Sequence, residues 1–190
     1  MNFESGHIYH IYNQGNNRQK IFFNQENYIF FLKKNRTHIL PYADIIAWCL
    51  MPNHFHLMVH VREPSLSLNV VVSRIENATL SGTLNHKTLN NSIGKMLSSY
   101  TRAINIQEKS TGSLFRGKTK AECVTKSNGI TPSYYKSSFG TIINLHLLEK
   151  DYPKICFDYI HNNPVKAKLV KKPENWEFSS YSDYFCSRNG

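Results

Sequence analysis

The sequence predicts an α+β domain in which helices cover an antiparallel sheet. Residues 7–13, HIYHIYN, combine β-branched and aromatic side chains between polar flanks, which is typical of a strand. Residues 44–51 are apolar on both faces, and a two-residue turn joins them to a second extended run at 54–61, so these runs predict a hairpin of central strands. Apolar residues at helical spacing over 25–38 predict a helix before that hairpin.

The order of the remaining elements narrows the fold class. A helix is predicted over about 91–107, and a strand follows at 121–125 after a glycine-containing loop. Further helices are predicted over 139–148 and 153–163, and we expect Pro164 to end the second of them. The order strand, helix, strand, strand, helix, strand, with a terminal helix, fits a ferredoxin-like or RRM-like sandwich with its helices on one face of the sheet.

Length and composition indicate a globular domain that binds nucleic acid. The chain has 190 residues, 41% of them hydrophobic, and we expect one domain over 1–190, with a possible insertion at 63–91 and an aromatic C-terminal tail at 171–190. No apolar run is long enough to cross a membrane, and four well-separated cysteines fit a reducing cytosol. A net charge of +10 is common in nucleic-acid binders, and the alternative is a merely basic domain.

Two histidines alternate along the predicted strand at 54–61. His54 and His56 face the same side of the sheet, with Phe55 on the other side. At this spacing two imidazoles can share one metal ion. The alternative is that they are polar side chains on a half-exposed strand, because a His-x-His pattern arises readily by chance in a chain with 9 histidines. The metal hypothesis therefore depends on other residues that converge on the pair.

Three segments carry candidate DNA-binding residues. Residues 14–20, QGNNRQK, form a predicted turn with exposed hydrogen-bond donors that could meet phosphate; the alternative is an ordinary solvated loop. Residues 110–120, STGSLFRGKTK, form a basic loop with an aromatic ring that could stack on a base; the alternative is a hairpin turn with a buried phenylalanine. With the basic side of the helix at 91–107, the candidates are Asn16, Asn17, Arg18, Lys20, Arg102, Phe115, Arg116 and Lys118.

The helix at 153–163 offers a candidate nucleophile. Tyr159 and Asn163 are four residues apart and therefore share one helix face. Tyr100 is the rival among 11 tyrosines, but the residue four positions after it is Ile104, which cannot bind a metal. Tyr100 also lies in an apolar stripe, as expected of a core residue or a groove wall. We therefore favour Tyr159.

These motifs together resemble a known family. The run HFH at 54–56, preceded by MPN at 51–53 and joined to YIHNNPVK at 159–166, is similar to the single-tyrosine HUH transposases, specifically the REP-associated tyrosine transposases, whose name refers to repetitive extragenic palindromes. The supporting stretches are IYHIYNQGNNRQKIFF at 8–23, SSYTRAIN at 98–105, GSLFRGKTKA at 112–121 and WEFSSYSDY at 176–184. Residues 63–89 and 126–145 depart from the compact family pattern.

The resemblance implies a mechanism and the residues that perform it. Tyr159 would attack a phosphodiester of single-stranded DNA, giving a 5′-phosphotyrosine and a free 3′-OH. His54 and His56 would hold Mg²⁺ or Mn²⁺, with Asn163 as the third ligand at a position where relatives often carry glutamine, and Lys166 would contact DNA. The substrate would carry a hairpin or palindrome. The protein would be a monomer or homodimer, cytoplasmic and associated with the nucleoid.

Two other classes of function stay open at this point. A non-catalytic nucleic-acid-binding module of RRM-like fold would bind in a salt-sensitive way, indifferent to metal and to Tyr159. A metal-dependent hydrolase would use His54 and His56 with a water nucleophile, and it would turn over repeatedly without a covalent adduct.

Overall fold

The structure, a computed structural model, is built on a four-stranded antiparallel sheet. It describes residues 1–66, 87–125, 133–137, 140–144 and 152–185. The sheet contains β1 (Ile8–Gln14), β2 (Ala43–Met51), β3 (His54–Val61) and, sixth in chain order, β6 (Lys120–Cys123). These strands lie in the order β2-β3-β1-β6, and each neighbouring pair is antiparallel. The predicted α+β class is confirmed, and the order of strands and helices is that of a ferredoxin-like sandwich.

Two helices pack on one face of this sheet. These are α1 (Gln25–His38) and α2 (Leu89–Gln107). Asn24 and Thr88 precede them, and the side-chain oxygen of each accepts a hydrogen bond from the backbone N–H three residues on. Such caps satisfy donors that a helix leaves free at its first turn, which explains where both helices begin.

The main core lies between α1, α2 and the sheet. The alternation of β3 directs Phe55 to this side, where it meets Phe31 of α1 at a ring-centroid distance of 5.0 Å. Tyr100 of α2 is fully buried in the same cluster. The opposite parity of β3, which carries His54 and His56, is therefore left for the other face of the sheet.

The third long helix, α3 (Tyr152–Lys166), packs on that other face. Cys156 and Ile160 of this helix form a second, smaller core with Cys49 and Met58 of the sheet. The prediction that the helices share one face thus holds for α1 and α2 but is wrong for α3. The physical reason for the position of α3 is the alternation of side chains along β3. Met58 points to the same face as His54 and His56, and because it is buried there it gives that face an apolar patch of its own.

Pro164 does not end α3, which continues to Lys166. The proline ring removes one backbone N–H donor, but other backbone hydrogen bonds close the last turn of the helix. The N–H of Leu169 donates to the carbonyl of Pro164 at 2.9 Å, and that of Lys168, whose φ is 57°, donates to Val165. This is a Schellman motif, which satisfies the terminal carbonyls of a helix. The helix therefore extends beyond the predicted end at 163.

The segments between these elements form two small hairpins. The first pairs β4 (Ser65–Leu66) with β5 (Lys87–Thr88), and the second pairs β7 (Ser133–Ser137) with β8 (Gly140–Asn144). The helix predicted over 139–148 is wrong at 140–144, because β-branched residues favour a strand and so short an apolar run has no decisive period. The rest of that range lies outside the described residues, as does most of the insertion predicted at 63–91. The insertion and the single domain stay predictions.

The C-terminal segment covers the outer edge of β2. It contains a 3-10 turn, Pro173–Asn175, and a short helix, α4 (Tyr181–Phe185); residues 186–190 lie outside the described part. The N–H of Leu50 donates to the carbonyl of Phe178, and the N–H of Ser180 donates to the carbonyl of Trp48, both at 2.9 Å. The segment thus pairs with backbone groups that an edge strand would otherwise expose. No helix in the described part of the chain is long and apolar enough to cross a membrane.

Candidate active site

The two histidines of β3 and the tyrosine of α3 lie together within one chain. The ring centroids of His54 and His56 are 5.1 Å apart, and those of His56 and Tyr159 are 5.5 Å apart. His10, on the neighbouring strand β1, contacts the same group, with its ring centroid 6.1 Å from that of Tyr159. The fold therefore brings together residues that are far apart in the sequence, without a contribution from a partner chain.

Asn53 and Asn163 surround His54. Nδ1 of His54 lies 2.6 Å from Oδ1 of Asn53; because that oxygen can only accept, Nδ1 carries the hydrogen and Nε2 keeps a lone pair. Burial lowers the pKa of His54, and a hydrogen bond with the Asn163 side chain partly opposes this shift. Asn163 is 8% exposed and lies one turn beyond Tyr159 on α3. The interaction of its side chain with His54 places its amide beside that ring. Its role as a ligand stays a prediction.

His56 is buried and held by His10. Nδ1 of His56 and Nε2 of His10 are 2.8 Å apart, a distance at which one ring donates to the other. Burial lowers the pKa of His56 to about 2 and that of His10 to about 4, so both rings are neutral at neutral pH. Nε2 of His56 is buried and has no hydrogen-bond partner in the described part of the chain. An imidazole nitrogen in this environment can accept a hydrogen bond from a water molecule or bind a metal ion.

These residues fit a divalent metal ion. Neutral imidazoles are its usual nitrogen ligands, and the groups that hold their other ring nitrogens, Asn53 and His10, fix the orientation of each ring. Among the residues that the structure describes, no group of three or more His, Cys, Asp and Glu side chains is arranged to hold a metal. A third protein ligand would therefore have to be of another type, as the amide oxygen of Asn163 is.

Tyr159 is accessible, whereas its rival is not. The Tyr159 side chain is 39% exposed, and Nζ of Lys166 lies 4.9 Å from its ring centroid. The ring borders a cavity of about 240 Å³ that His54 and His56 also line. Tyr100 is fully buried, and its hydroxyl donates to the carbonyl of Ile21 at 2.7 Å. Tyr100 is thus a core residue, and of the two tyrosines only Tyr159 is accessible from solvent.

The loop at 14–20 contacts the basic loop at 110–120, and the contact lies at the end of β3 that carries His54. Gln14 pairs with His54 in the sheet, and the N–H of Asn16 donates to the carbonyl of Leu114 at 2.8 Å. A Cβ on Gly15 would lie 2.1 Å from the carbonyl oxygen of Gln19, so only glycine permits this tight loop. The predicted contacts in the two loops that are exposed here are Asn16, Asn17, Arg18, Lys20, Arg116 and Lys118.

One predicted DNA contact is wrong, and another lies on a different surface. Phe115 is 5% exposed and packs against Phe55 and Tyr100, so it cannot stack on a base; the loop has the buried phenylalanine that was the alternative. Arg102 lies on α2, on the opposite side of the sheet from His54. With Arg116 it lines an open groove of about 850 Å³. The groove reaches Asn13, which also borders the Tyr159 cavity.

Two residues of the site are absent from the sequence prediction. The sequence places His10 within the predicted strand at 7–13 and Asn53 within the turn before His54, and neither pattern links them to the site. The pairing of β1 with β3 sets His10 beside His56, and this neighbourhood follows from the ferredoxin-like strand order. The signal for His10 was therefore available in the predicted topology, whereas the hydrogen bond from His54 to Asn53 depends on the shape of the turn.

Comparison with solved structures gives a match that supports this architecture. A chain described as "Structure of the REP associates tyrosine transposase bound to a REP hairpin" matches with a TM-score of 0.54 and 19% sequence identity, over 96% of this chain and 81% of that chain. The two chains share a fold. At this identity the match carries no information on the role of single residues in this chain. Comparisons with protein-family models and with curated proteins give no match.

Proposed function

We propose that this protein is a metal-dependent single-stranded DNA endonuclease and strand transferase that acts near DNA hairpins through a 5′-phosphotyrosine. The observation that carries the proposal is the position of Tyr159, which is accessible and has its ring centroid 5.5 Å from that of His56. Nε2 of His56 is buried and has no hydrogen-bond partner among the described residues. The hairpin is proposed as substrate because the transposase that shares the fold is described as bound to one.

The reaction assigns a step to each side chain. The hydroxyl of Tyr159 attacks phosphorus and loses its proton to solvent, the P–O3′ bond breaks, and the 3′ oxygen takes up a proton as it leaves. His54, His56 and Asn163 would hold Mg²⁺ or Mn²⁺, which when bound supplies Lewis-acid polarisation of the scissile phosphate; nitrogen ligands favour Mn²⁺. The ammonium of Lys166, over the Tyr159 ring, adds positive charge where negative charge develops. Attack by a 3′-OH on the phosphotyrosine reverses these steps and joins strands.

The surrounding surface suits a DNA strand that enters this site. Arg18 and Lys20 in one loop and Arg116 in the other are exposed at the end of β3 that carries His54. Cations at these positions can contact the backbone on either side of the reacting phosphate. Because every residue invoked belongs to one chain, the site is compatible with a monomer and with a homodimer.

The test is covalent capture of the intermediate. Single-stranded DNA with a palindromic hairpin and flanking single strands, incubated with Mn²⁺, should give a protein–DNA adduct that survives denaturation in SDS. Tyr159→Phe should lose this adduct completely, since phenylalanine has no nucleophile. The matched control is Tyr181→Phe, which removes a phenol on α4 that contacts His161 but does not line the cavity beside Tyr159, His54 and His56.

The outcomes separate the classes of function. An undiminished adduct in Tyr159→Phe contradicts the assignment of the nucleophile. Repeated cleavage without any adduct indicates the hydrolase with a water nucleophile. Binding that depends on salt but not on Mn²⁺ or Tyr159, without cleavage, indicates the non-catalytic nucleic-acid-binding module.

A further inference from the structure

Tyr159 stands between two cavities. The first, described above, lies on the side of His54. The second has a volume of about 320 Å³ and lies between the strands β1 and β6 and the first half of α3. Tyr159, His56 and Tyr12 border both cavities, and the second is completed by Glu122, Tyr152, Ile155 and Cys156. A DNA strand cleaved at Tyr159 has one nucleotide on each side of the reacting phosphate, and each cavity adjoins that point.

The second cavity contains a carboxylate where a phosphate site would carry cations. Oε1 of Glu122 accepts a hydrogen bond from the hydroxyl of Tyr12 at 2.6 Å. Burial and the contact with Glu122 raise the pKa of Tyr12 to about 12, so Tyr12 stays a neutral donor. Within the described residues Glu122 forms no ion pair, and its second oxygen is free to accept from a ligand. A carboxylate repels phosphate but accepts hydrogen bonds from base edges.

The other walls of the cavity suit the faces of a base. Tyr152 supplies an aromatic ring and Ile155 an aliphatic surface that is 49% exposed although it is apolar. Bases of single-stranded nucleic acids stack on such side chains. The volume is at the lower end of the range for ligand pockets, as expected for one nucleobase and not for a larger molecule.

We infer that this cavity binds the base of one nucleotide adjoining the cleaved bond and selects a base with an exocyclic amine. Adenine, cytosine and guanine each carry an exocyclic amine that can donate to Glu122, whereas the one donor on the base edge of thymine, N3–H, lies between two carbonyl oxygens that a carboxylate repels. The inference rests on the proposed function for the identity of the cleaved bond. It adds a base-reading residue that contacts neither the metal ligands nor the nucleophile through any hydrogen bond in the described part of the chain.

The test uses hairpin oligonucleotides with randomised single-stranded flanks and Mn²⁺, followed by sequencing of the DNA in the SDS-stable adducts and of the released strands. Wild-type adducts should be depleted of thymine by about 5- to 150-fold at one of the two positions that adjoin the cleaved bond. Glu122→Gln, whose amide can donate to a thymine carbonyl as well as accept from an amine, should reduce that depletion to less than about threefold. Glu63→Gln makes the same charge change beyond the far end of β3 and should keep it.

Three outcomes overturn the inference. Equal base preferences in wild type and Glu122→Gln contradict it, and so does a loss of adduct that is uniform across all four bases, since that indicates a role in chemistry or folding. A wild-type protein that forms no adduct refutes the proposed function; the base site is then decided by binding. Preference for a dC 12-mer over a dT 12-mer that Glu122→Gln removes supports the cavity, and its absence in wild type overturns it.

Discussion

At the scale of single residues, the site depends on two neutral histidines, His10 and His56, whose rings hydrogen-bond to each other. One ring nitrogen of His56 hydrogen-bonds to His10, and the other is buried and has no partner among the described residues. A bound metal ion would offset the cost of burying that nitrogen. For His56 to bind through Nε2 with a lone pair, its Nδ1 must donate to His10, so His10 selects the tautomer. For metal binding His10 is thus a positioning residue, which acts through His56.

The first prediction concerns this role. His10→Ala removes the acceptor of His56 Nδ1 and should weaken Mn²⁺ binding by about 10- to 100-fold, as loss of such partners typically does. His10→Gln should restore part of the affinity because its amide oxygen can accept the same hydrogen bond. Isothermal titration of Mn²⁺ into each variant measures the effect, with His7→Ala on the preceding segment as control. An affinity in His10→Ala equal to that of wild type contradicts the role.

At the scale of elements, α3 connects Tyr159 to the C-terminal segment. Its apolar side packs Cys156 and Ile160 on the sheet, and its end carries Asn163 to His54. Between them, Nε2 of His161 lies 2.8 Å from Oγ of Ser180, which in turn accepts a hydrogen bond from the N–H of Trp48 on β2. A single hydroxyl therefore connects the helix that carries Tyr159 to the edge of the sheet.

The second prediction is a pH dependence of this junction. Burial lowers the pKa of His161 to about 4, against about 6.5 in the unfolded chain, although Asp158 and Asp183 oppose the shift. The unfolded state therefore binds the proton more readily, so this contribution to stability is full above pH 6.5 and is lost as pH falls towards 4. Between pH 7 and pH 5 the loss from this residue is about 2 kcal/mol.

The measurement is urea unfolding of wild type and His161→Gln at both pH values. His10 and His56 contribute losses of the same sign in both proteins, so the difference between the two isolates His161. The free energy of unfolding should fall less between pH 7 and pH 5 in His161→Gln than in wild type, whereas His7→Gln should behave as wild type. A fall of equal size in His161→Gln would show that His161 is not neutral in the folded state.

At the scale of the whole molecule, the central sheet was predictable because its signals are local. The helix α1 is specified by its Asn24 cap and by the spacing of its apolar residues. The hairpin of β2 and β3 is specified by the short turn before His54, and none of these signals needs tertiary information. The face on which α3 packs was not predictable in this way, because it depends on Met58 among the histidines of β3. A phenylalanine at position 115 could stack on a base or fill the core, and the sequence does not distinguish these two roles. Only its packing against Tyr100 of α2 shows that it fills the core.

The net charge of +10 gives the last prediction, at the same scale. If the strand enters between the two loops, Arg18 and Arg116 each neutralise one phosphate, and their substitution by alanine should change binding through counterion release. For single-stranded DNA the slope of log K against log salt should become less negative by about 1.4 for the double variant.

The variant Lys33→Ala with Arg36→Ala makes the same charge change on α1 and should keep the wild-type slope. Fluorescence anisotropy from 50 to 300 mM NaCl, with Tyr159→Phe as background to prevent cleavage, measures both. Equal slopes in the two double variants would mean that the loops near His54 are not the path of the DNA and that affinity comes from charge spread over the surface.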